Sequence, residues 1–158
     1  ELTVEYSKYH PIGKRGLSPF TRAGRYGTDA DKHTIRSNEE TMLIINIEGA
    51  NGIKNLKEIM SVNGIDVIFI GPYDLSQSIG KPGKVNDPEV KNIIKKTAKA
   101  VKENGLVCGS FARDMKYLEF LIDCRIQYIT YMVDTAIILQ SYKNINDSFM
   151  EIKKGLRK

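Results

Sequence analysis

Short apolar runs alternate with longer amphipathic segments along most of the chain. Four runs rich in β-branched residues span residues 42–47, 65–70, 106–111 and 128–133, the third interrupted by Gly109 and Ser110. Their hydrophobicity is continuous rather than alternating, which is typical of strands in a parallel sheet covered by helices. The sequence therefore predicts four strands that are buried on both faces.

Helical patterns separate the predicted strands. They cover residues 53–60, 88–104 and 114–122, and a fourth runs from Thr135 to the C-terminus. The second has Asp87 as N-cap, Pro88 at its first position and Gly105 just past its end, which are strong helix boundary signals. The chain thus reads as a βαβαβαβα series. Such a series builds either an open doubly wound sheet or part of a (β/α)₈ barrel, and periodicity leaves both open.

The net charge of +5 raises the question of nucleic-acid binding. Five lysines, however, share one face of the second helical pattern, opposite its apolar residues: Lys91, Lys95, Lys96, Lys99 and Lys102. This arrangement is typical of a solvated helix face. A nucleic-acid partner is therefore not expected. A membrane partner is not expected either, because no apolar stretch approaches the roughly 18 residues that a membrane span needs.

The length of 158 residues and the hydrophobic share of 41% fit one α/β domain. We expect residues 1–40 to form an arm or loop and residues 41–158 to form four βα units. The glycine- and arginine-rich stretch 9–38 is predicted to be a long loop, a type of segment that is often functional. Two cysteines, too few for a disulfide framework, are expected to be buried thiols. No secretory signal is visible, so we expect a cytoplasmic protein, and the lack of an initiator Met suggests part of a longer gene product.

Candidate chemistry follows the ends of the predicted strands, where parallel α/β sheets carry their sites. Glu48, the segment 71–74, Arg113 and Asp134 occupy these positions. Glu48 and Asp74 close two neighbouring strands, and such a carboxylate pair suits Mg²⁺ or Mn²⁺. The alternative is that each acidic residue caps the next helix. Gly71 would let the backbone come close to a ligand, or it forms a plain tight turn.

Several segments of the sequence resemble the HpcH/HpaI aldolases, which include 2-dehydro-3-deoxyglucarate and 4-hydroxy-2-oxoheptanedioate aldolases. The resemblance covers nearly the whole chain. It is carried by KYHPIGKRGL, RAGRYG, NIEGANGIKNLKEIMSVNGIDVIFIGPYDLSQSIGKPG and MVD. Glu48 and Asp74 fall where this family places its two metal ligands, and the interval between them matches the family's spacing.

The resemblance implies a (β/α)₈ TIM-barrel type of fold, of which this chain supplies strands five to eight. It also implies that the inner faces of Ile45, Ile68, Phe69 and Tyr131 pack against the four missing strands. It also implies a homo-oligomer whose C-terminal helix is swapped between subunits. The implied enzyme is a carbon-carbon lyase that uses Mg²⁺, Mn²⁺ or Co²⁺ and reversibly cleaves a 4-hydroxy-2-oxo acid to pyruvate and an aldehyde through a metal-stabilised pyruvate enolate. The small-molecule partners are therefore a 2-oxo acid and an aldehyde.

The same resemblance assigns roles to individual residues. The backbone N–H groups of Tyr73 and Asp74 would hold the pyruvate carboxylate, and Phe69, Gly71 and Pro72 would line the pocket. Asn46 stands where relatives usually carry Gln, and Arg15 belongs to a recurrent Arg-Gly element near the site. Tyr73 replaces a residue that is usually small, so its ring either narrows the aldehyde pocket or turns to solvent.

The chain also departs from the family. The family's proton-shuttling His and its enolate-binding Arg come from earlier strands, so the isolated chain is expected to be an incomplete enzyme. His10 and His33 are expected to be surface histidines rather than substitute bases. A non-catalytic truncated paralogue or interaction module that keeps the fold is the alternative. A phosphate-binding doubly wound module would need a glycine-rich turn after its first strand, and IEGANG lacks that pattern.

Overall fold

The computed structural model describes residues 1–156, without the side chains of residues 30 and 31. Short helices open the chain, and four strands then alternate with helices. The helices are α1 (Leu2–Ser7), α2 (Ala30–Glu40), α3 (Ala50–Lys54), α4 (Leu56–Met60), α5 (Pro72–Ser78), α6 (Pro88–Glu103), α7 (Met115–Asp123) and α8 (Asp134–Gly155), with a 3₁₀ turn at Arg25–Gly27. The strands are β1 (Ile44–Ile47), β2 (Val67–Ile70), β3 (Val107–Ala112) and β4 (Tyr128–Tyr131). The predicted strands are confirmed: β1, β2 and β4 are two residues shorter than predicted, and β3 is shifted by one residue.

The four strands form one parallel sheet in the order β1-β2-β3-β4. Each strand pairs with its neighbour in sequence, so all four carboxyl ends meet at one edge of the sheet. One row of the register joins Asn46, Phe69, Gly109 and Tyr128. Below, this edge is called the carboxyl edge. The residues that follow the strands there, Glu48, Gly71 and Arg113, therefore lie along the same edge.

One face of the sheet packs against the helices and forms the core. Ile68, Ile70 and Cys108 point into this layer and are almost fully buried. They contact helix residues such as Leu75, Ile94 and Leu121 within the same cluster. Each fully buried side chain of this size contributes roughly 1.5–3 kcal/mol relative to an exposed one, so this layer supplies most of the packing stability.

The opposite face of the sheet carries aromatic side chains. Phe69 and Tyr128 are half-buried, and their rings meet edge to face with centroids 6.2 Å apart. Gly109 lies between them, and a Cβ there would approach the Phe69 ring to 2.8 Å and the Tyr128 ring to 3.1 Å. The glycine that interrupts the third apolar run therefore makes room for two rings.

The expectation that Ile45, Ile68, Phe69 and Tyr131 share one inner face is wrong. Successive strand residues point to opposite faces, so Ile68 and Phe69 cannot face the same way. Ile45 and Ile68 contact the helix layer, whereas Phe69 lies on the aromatic face. Tyr131 pairs with Ala112, which is buried among the helices.

The helix boundary signals of the lysine-rich segment are confirmed. The Asp87 carboxylate accepts a hydrogen bond from the Glu89 N–H at 2.9 Å, and Pro88 begins α6. Gly105, just past the helix, adopts φ +76°, which favours glycine. The lysine face is solvated as predicted, except that the half-buried Lys91 ammonium lies 4.7 Å from the Phe120 ring centroid.

Two helical expectations need correction. The stretch 9–38 is not one long loop, because α2 begins at its end and the 3₁₀ turn lies within it. Helix α2 has few apolar residues, so periodicity gave no signal for it. The predicted helix over residues 53–60 is broken at Asn55 into α3 and α4.

Helix α8 differs from the other long helices, because none of its residues is buried. It exposes many large apolar side chains: Ile137, Ile138, Leu139, Tyr142, Ile145, Phe149, Met150 and Ile152. A helix of this kind is short of a packing partner within residues 1–156. No helix in that range is long and apolar enough to cross a membrane.

Both cysteines are free thiols. Cys108 is buried as expected, and this burial raises the pKa of its thiol to about 12. Cys124 is only half-buried, and burial again raises its pKa. A thiol with a raised pKa stays protonated near neutral pH, and a protonated thiol is a weak nucleophile and a weak metal ligand. The two cysteines therefore belong to the packing of the fold.

Candidate functional site

A carboxylate and an amide meet at the carboxyl edge of β1. Glu48 follows the last residue of the strand, and Asn46 lies two positions before it on the same side. The Asn46 side-chain N–H donates a hydrogen bond to Oε2 of Glu48. This contact fixes the orientation of the carboxylate while leaving its other oxygen available to a ligand.

Gly71 brings the neighbouring strand end against this pair. Its N–H donates to the Ile47 carbonyl at 3.2 Å, which extends the parallel ladder by one position. A Cβ on Gly71 would lie 3.0 Å from Cβ of Glu48, 3.1 Å from its Oε2 and 3.3 Å from Oδ1 of Asn46. The absence of a side chain at this position therefore allows the acid and the amide to lie directly over the backbone.

Helix α5 starts at this glycine and carries the second carboxylate. Pro72 occupies the first helical position and is buried, and Asp74 lies exposed in the first turn. Proline is favoured there because its missing N–H would have no helical partner. Glu48 thus directly follows β1, and Asp74 lies in the first turn of the helix that follows the neighbouring strand β2.

A hydrogen-bonded loop holds α5 in place, and sequence reasoning did not identify it. The buried Ser76 hydroxyl donates to the Tyr73 carbonyl at 2.6 Å and accepts from the Gly83 N–H at 3.0 Å. Lys81 binds the carboxylates of Asp87 at 2.7 Å and Glu89 at 2.8 Å. These bonds raise the pKa of Lys81. They connect the loop after α5 to the start of α6, and so fix the turn that carries Asp74.

The donor set suits a hard divalent cation. Glu48 and Asp74 are exposed carboxylates, and neither forms an ion pair with a lysine or arginine in the described part of the chain. Among the side chains that the structure describes, no group of three or more His, Cys, Asp or Glu is arranged to hold a metal. A pair is nevertheless compatible with Mg²⁺ or Mn²⁺, which commonly bind one or two carboxylates and take their remaining oxygens from water and substrate.

A cavity of about 380 Å³ lies next to the carboxyl edge. It is lined by Tyr73, Phe111, Arg113, Met132, Val133 and Ala136. The Tyr73 and Phe111 ring centroids are 6.2 Å apart, and the Tyr73 side chain remains 39% exposed. The ring therefore lines the cavity and also reaches solvent.

The remaining predicted residues lie elsewhere. The Phe69 ring meets the Tyr128 ring edge to face on the aromatic face of the sheet. The Arg15 guanidinium lies 4.9 Å from the Tyr9 ring centroid, and its described contacts are within the N-terminal arm. Among the described residues, no hydrogen bond or ion pair joins Arg15 to Glu48 or Asp74.

The expectation of a surface histidine holds for His10, which is exposed, and is wrong for His33. His33 is 2% exposed, with Nε2 3.3 Å from the Tyr9 hydroxyl and Nδ1 3.3 Å from the Ser37 hydroxyl. The bond to Tyr9 holds α2 against the arm. His33 is thus part of the packing of the N-terminal segment.

Gly71→Ala is expected to weaken Mn²⁺ binding on the order of tenfold, because the added methyl group displaces Glu48 and Asn46. Calorimetric titration measures the affinity. Gly49→Ala is the matched control, since a Cβ on Gly49 meets nothing within 4 Å. Equal affinities in the two variants would contradict the role given to Gly71.

The family model described as HpcH/HpaI aldolase/citrate lyase matches residues 1–139. Two characterised relatives are similar in sequence. The hydroxypyruvate/pyruvate aldolase of Sagittula stellata is 37% identical over 82% of this chain and 51% of its own length. The 2-keto-3-deoxy-L-rhamnonate aldolase of Klebsiella pneumoniae is 32% identical over 87% of this chain and 52% of its own. The chain spans about half the length of the curated relatives it matches.

Solved structures show the same fold. An HpcH/HpaI aldolase/citrate lyase family protein from Burkholderia cenocepacia superposes with a TM-score of 0.85 at 25% identity, over 93% of this chain and 58% of that protein. An HpcH/HpaI aldolase from Desulfitobacterium hafniense gives a TM-score of 0.80 at 25% identity, over 94% and 57%. The arrangement of strands and helices described above is therefore shared with these proteins.

Proposed function

This chain belongs to the HpcH/HpaI aldolase/citrate lyase family, and we propose that it carries the metal-binding and pyruvate-binding part of a divalent-metal-dependent aldolase of 2-oxo acids. The observation that carries the proposal is the cluster at the carboxyl edge. Asn46 orients Glu48, Gly71 lets both approach the backbone, and Asp74 follows in the first turn of α5. The aldolase relatives support the same reaction class.

The proposed reaction is the reversible cleavage of a 4-hydroxy-2-oxo acid to pyruvate and an aldehyde. The bond between C3 and C4 breaks, the C4 hydroxyl loses its proton as the aldehyde forms, and C3 gains a proton to give the pyruvate methyl group. A divalent cation, when bound, would polarise the 2-oxo group of the substrate. Glu48 and Asp74 would hold that cation, and Asn46 would keep the Glu48 carboxylate in position.

Other residues of the chain would bind the organic part of the substrate. By the resemblance to the family, the N–H groups of Tyr73 and Asp74 would donate hydrogen bonds to the pyruvate carboxylate, and Phe69 and Pro72 would line the pocket. The bonds of Ser76 and Lys81 keep these N–H groups in place. The proton-transferring base would be contributed by residues outside this chain, because neither histidine of the described structure contacts the carboxyl edge.

The four-stranded parallel α/β sheet is that of the TIM-barrel-like HpcH/HpaI fold. We propose that it represents strands five to eight of a barrel. The half-exposed aromatic face, with Phe69 and Tyr128, would then face the barrel interior. The apolar side chains of α8 would pack against a second subunit in a homo-oligomer, which fits a helix without a buried residue.

The test is pyruvate release from a panel of 4-hydroxy-2-oxo acids by the full gene product, with and without Mn²⁺. Release is expected to need the cation and to stop when a chelator is added. A protein that releases no pyruvate from any member of the panel in the presence of Mn²⁺ would favour the non-catalytic alternative.

Tyr73→Ala is expected to broaden the range of aldehydes that the enzyme accepts, because the ring lines the cavity beside the carboxyl edge. We expect kcat/KM for longer aldehydes to rise on the order of tenfold, the scale of one or two accommodated methylene groups. The KM for pyruvate should change little, since its carboxylate contact is to the backbone. Steady-state kinetics on short and long aldehydes measures both effects.

Tyr6→Ala removes an exposed ring far from the cavity and serves as the control for this experiment. Equal loss of activity on short and long aldehydes in Tyr73→Ala would show that the ring has a structural role instead.

A further inference from the structure

Ser110 is a polar residue inside the buried part of β3. It lies two positions after Cys108, and so on the side of the sheet that faces the helix layer, and its side chain is 0% exposed. A hydroxyl without a hydrogen-bond partner would destabilise such a layer. The next residue on this side, Ala112, is equally buried and has no polar group. Packing alone therefore does not require a serine at this position, and the bond that the hydroxyl makes indicates its role.

The hydroxyl of Ser110 holds a single peptide group of the neighbouring strand. It donates at 2.9 Å to the backbone carbonyl of Ile70, its register partner and the last residue of β2. That carbonyl and the Gly71 N–H belong to the same peptide group, and in a trans peptide they point in opposite directions. The Gly71 N–H donates to the Ile47 carbonyl on β1 at 3.2 Å. One peptide group is thus held from both sides, across three strands.

This chain of hydrogen bonds reaches the backbone of Glu48. The Ile47 carbonyl that accepts the Gly71 N–H lies in the peptide group that joins Ile47 to Glu48. Gly71 also limits the space beside this residue, since a Cβ there would lie 3.0 Å from Cβ of Glu48 and 3.3 Å from Oδ1 of Asn46. A shift of the Gly71 peptide would therefore move the backbone of Glu48 and change the space in which its side chain meets Asn46. Hydrogen bonds in such a chain also polarise one another, which couples its two ends.

We propose that Ser110 is a positioning residue of the carboxyl edge, whose hydroxyl holds the Gly71 peptide and, through it, Glu48. The consequence for metal affinity rests on the proposed function, whereas the bond between Ser110 and the Gly71 peptide is a property of the chain without metal. The hydroxyl acts from the helix side of the sheet and from the second strand along. It explains why a serine interrupts the third apolar run.

Ser110→Ala removes the hydroxyl and leaves a side chain that β3 already buries at Ala112. In the full gene product, we expect Mn²⁺ affinity measured by calorimetric titration to fall about tenfold, the lower end of the range for losing a group that orients a metal ligand. In the metal-free protein, hydrogen–deuterium exchange of the Gly71 amide should accelerate about three- to tenfold, the scale of one weakened hydrogen bond. Pro72 has no N–H, so exchange in a fragment of residues 71–72 reports Gly71 alone.

Two further variants separate this role from a general loss of stability. Ser110→Thr keeps the hydroxyl and adds a buried methyl group, so its melting temperature should fall. Its Mn²⁺ affinity and Gly71 exchange should nevertheless stay within about twofold of the original, because the hydrogen bond is retained. Cys108→Ala is the matched control on the same strand and the same side of the sheet. It should lower the melting temperature and leave both other measurements unchanged.

Unchanged Gly71 exchange in Ser110→Ala would overturn the positioning role, even in a protein that binds Mn²⁺. A loss of Mn²⁺ affinity that Ser110→Thr shares, or that Cys108→Ala reproduces, would also overturn it, because the effect would then follow stability rather than the hydroxyl. If the original protein binds no Mn²⁺, the metal assignment fails by itself. Faster Gly71 exchange in Ser110→Ala, but not in Cys108→Ala, would in that case still support the role of the hydroxyl.

Discussion

Glu48→Ala and Asp74→Ala are each expected to abolish Mn²⁺ binding, with an affinity loss on the order of 100-fold or more. The two carboxylates are the only protein ligands proposed for the cation, and removing one leaves water to hold it. Both side chains are exposed and free of lysine or arginine partners in the described part of the chain, so their removal should not unfold the protein. Calorimetric titration with Mn²⁺ gives the affinity directly.

Glu58→Ala is the matched control for this pair. Glu58 is an exposed glutamate in α4, and it borders a cavity at the opposite end of the sheet together with α1. Its removal changes the net charge by the same amount and should leave Mn²⁺ affinity unaltered. Unchanged affinity in both Glu48→Ala and Asp74→Ala would remove the metal assignment, whatever the aldolase assay shows.

The strands could be predicted because each is a continuous apolar run of nearly the right length. Their parallel pairing followed from the helical patterns between them, since βαβ units place consecutive strands side by side. The facing of individual residues was predicted less well. Ile68 and Phe69 are both apolar, and a fully apolar run does not show which of two adjacent residues points to the helices.

Helix α2 could not be predicted from its apolar pattern because polar contacts hold it. His33 bonds Tyr9 and Ser37, and the Asn38 side chain accepts the Tyr9 N–H and donates to the Tyr9 carbonyl. All of these contacts except the one within α2 join residues more than 20 positions apart. Hydrophobic periodicity carries no information about such contacts, so the segment read as a loop.

At the carboxyl edge, the sequence predicted the positions of the candidate residues but not the contacts between them. The positions of Glu48 and Asp74 after successive strands, together with the family spacing, placed them at one edge. The contacts that fix them were not predictable. Gly71 was recognised as a possible close approach, but its contact with both Glu48 and Asn46 depends on the register of β1 and β2. Arg113 was noted at a strand end, and its relation to Tyr73 needed the packed structure.

A protein consisting of these 158 residues alone is expected to associate or to stay partly molten rather than behave as an active monomer. Strands β1 and β4 each pair with a single neighbour in the described sheet, so each presents an open edge. The aromatic face around Phe69 and Tyr128 is only half-covered, and α8 has no buried residue. Apolar surface of this extent favours self-association in water. Light scattering combined with the aldolase assay measures mass and activity in the same sample.

Two variants separate the contributions of the helix and the sheet to this association. Ile145→Glu combined with Phe149→Glu places charges on the exposed apolar side of α8, and we expect a lower association constant with unchanged helical circular dichroism. Ser141→Glu combined with Asn144→Glu adds the same charge to polar positions of α8 and should have a smaller effect. Association that persists equally in both would place the contact at the sheet edges instead. A compact monomer that turns over substrate would show that the half-barrel proposal is wrong.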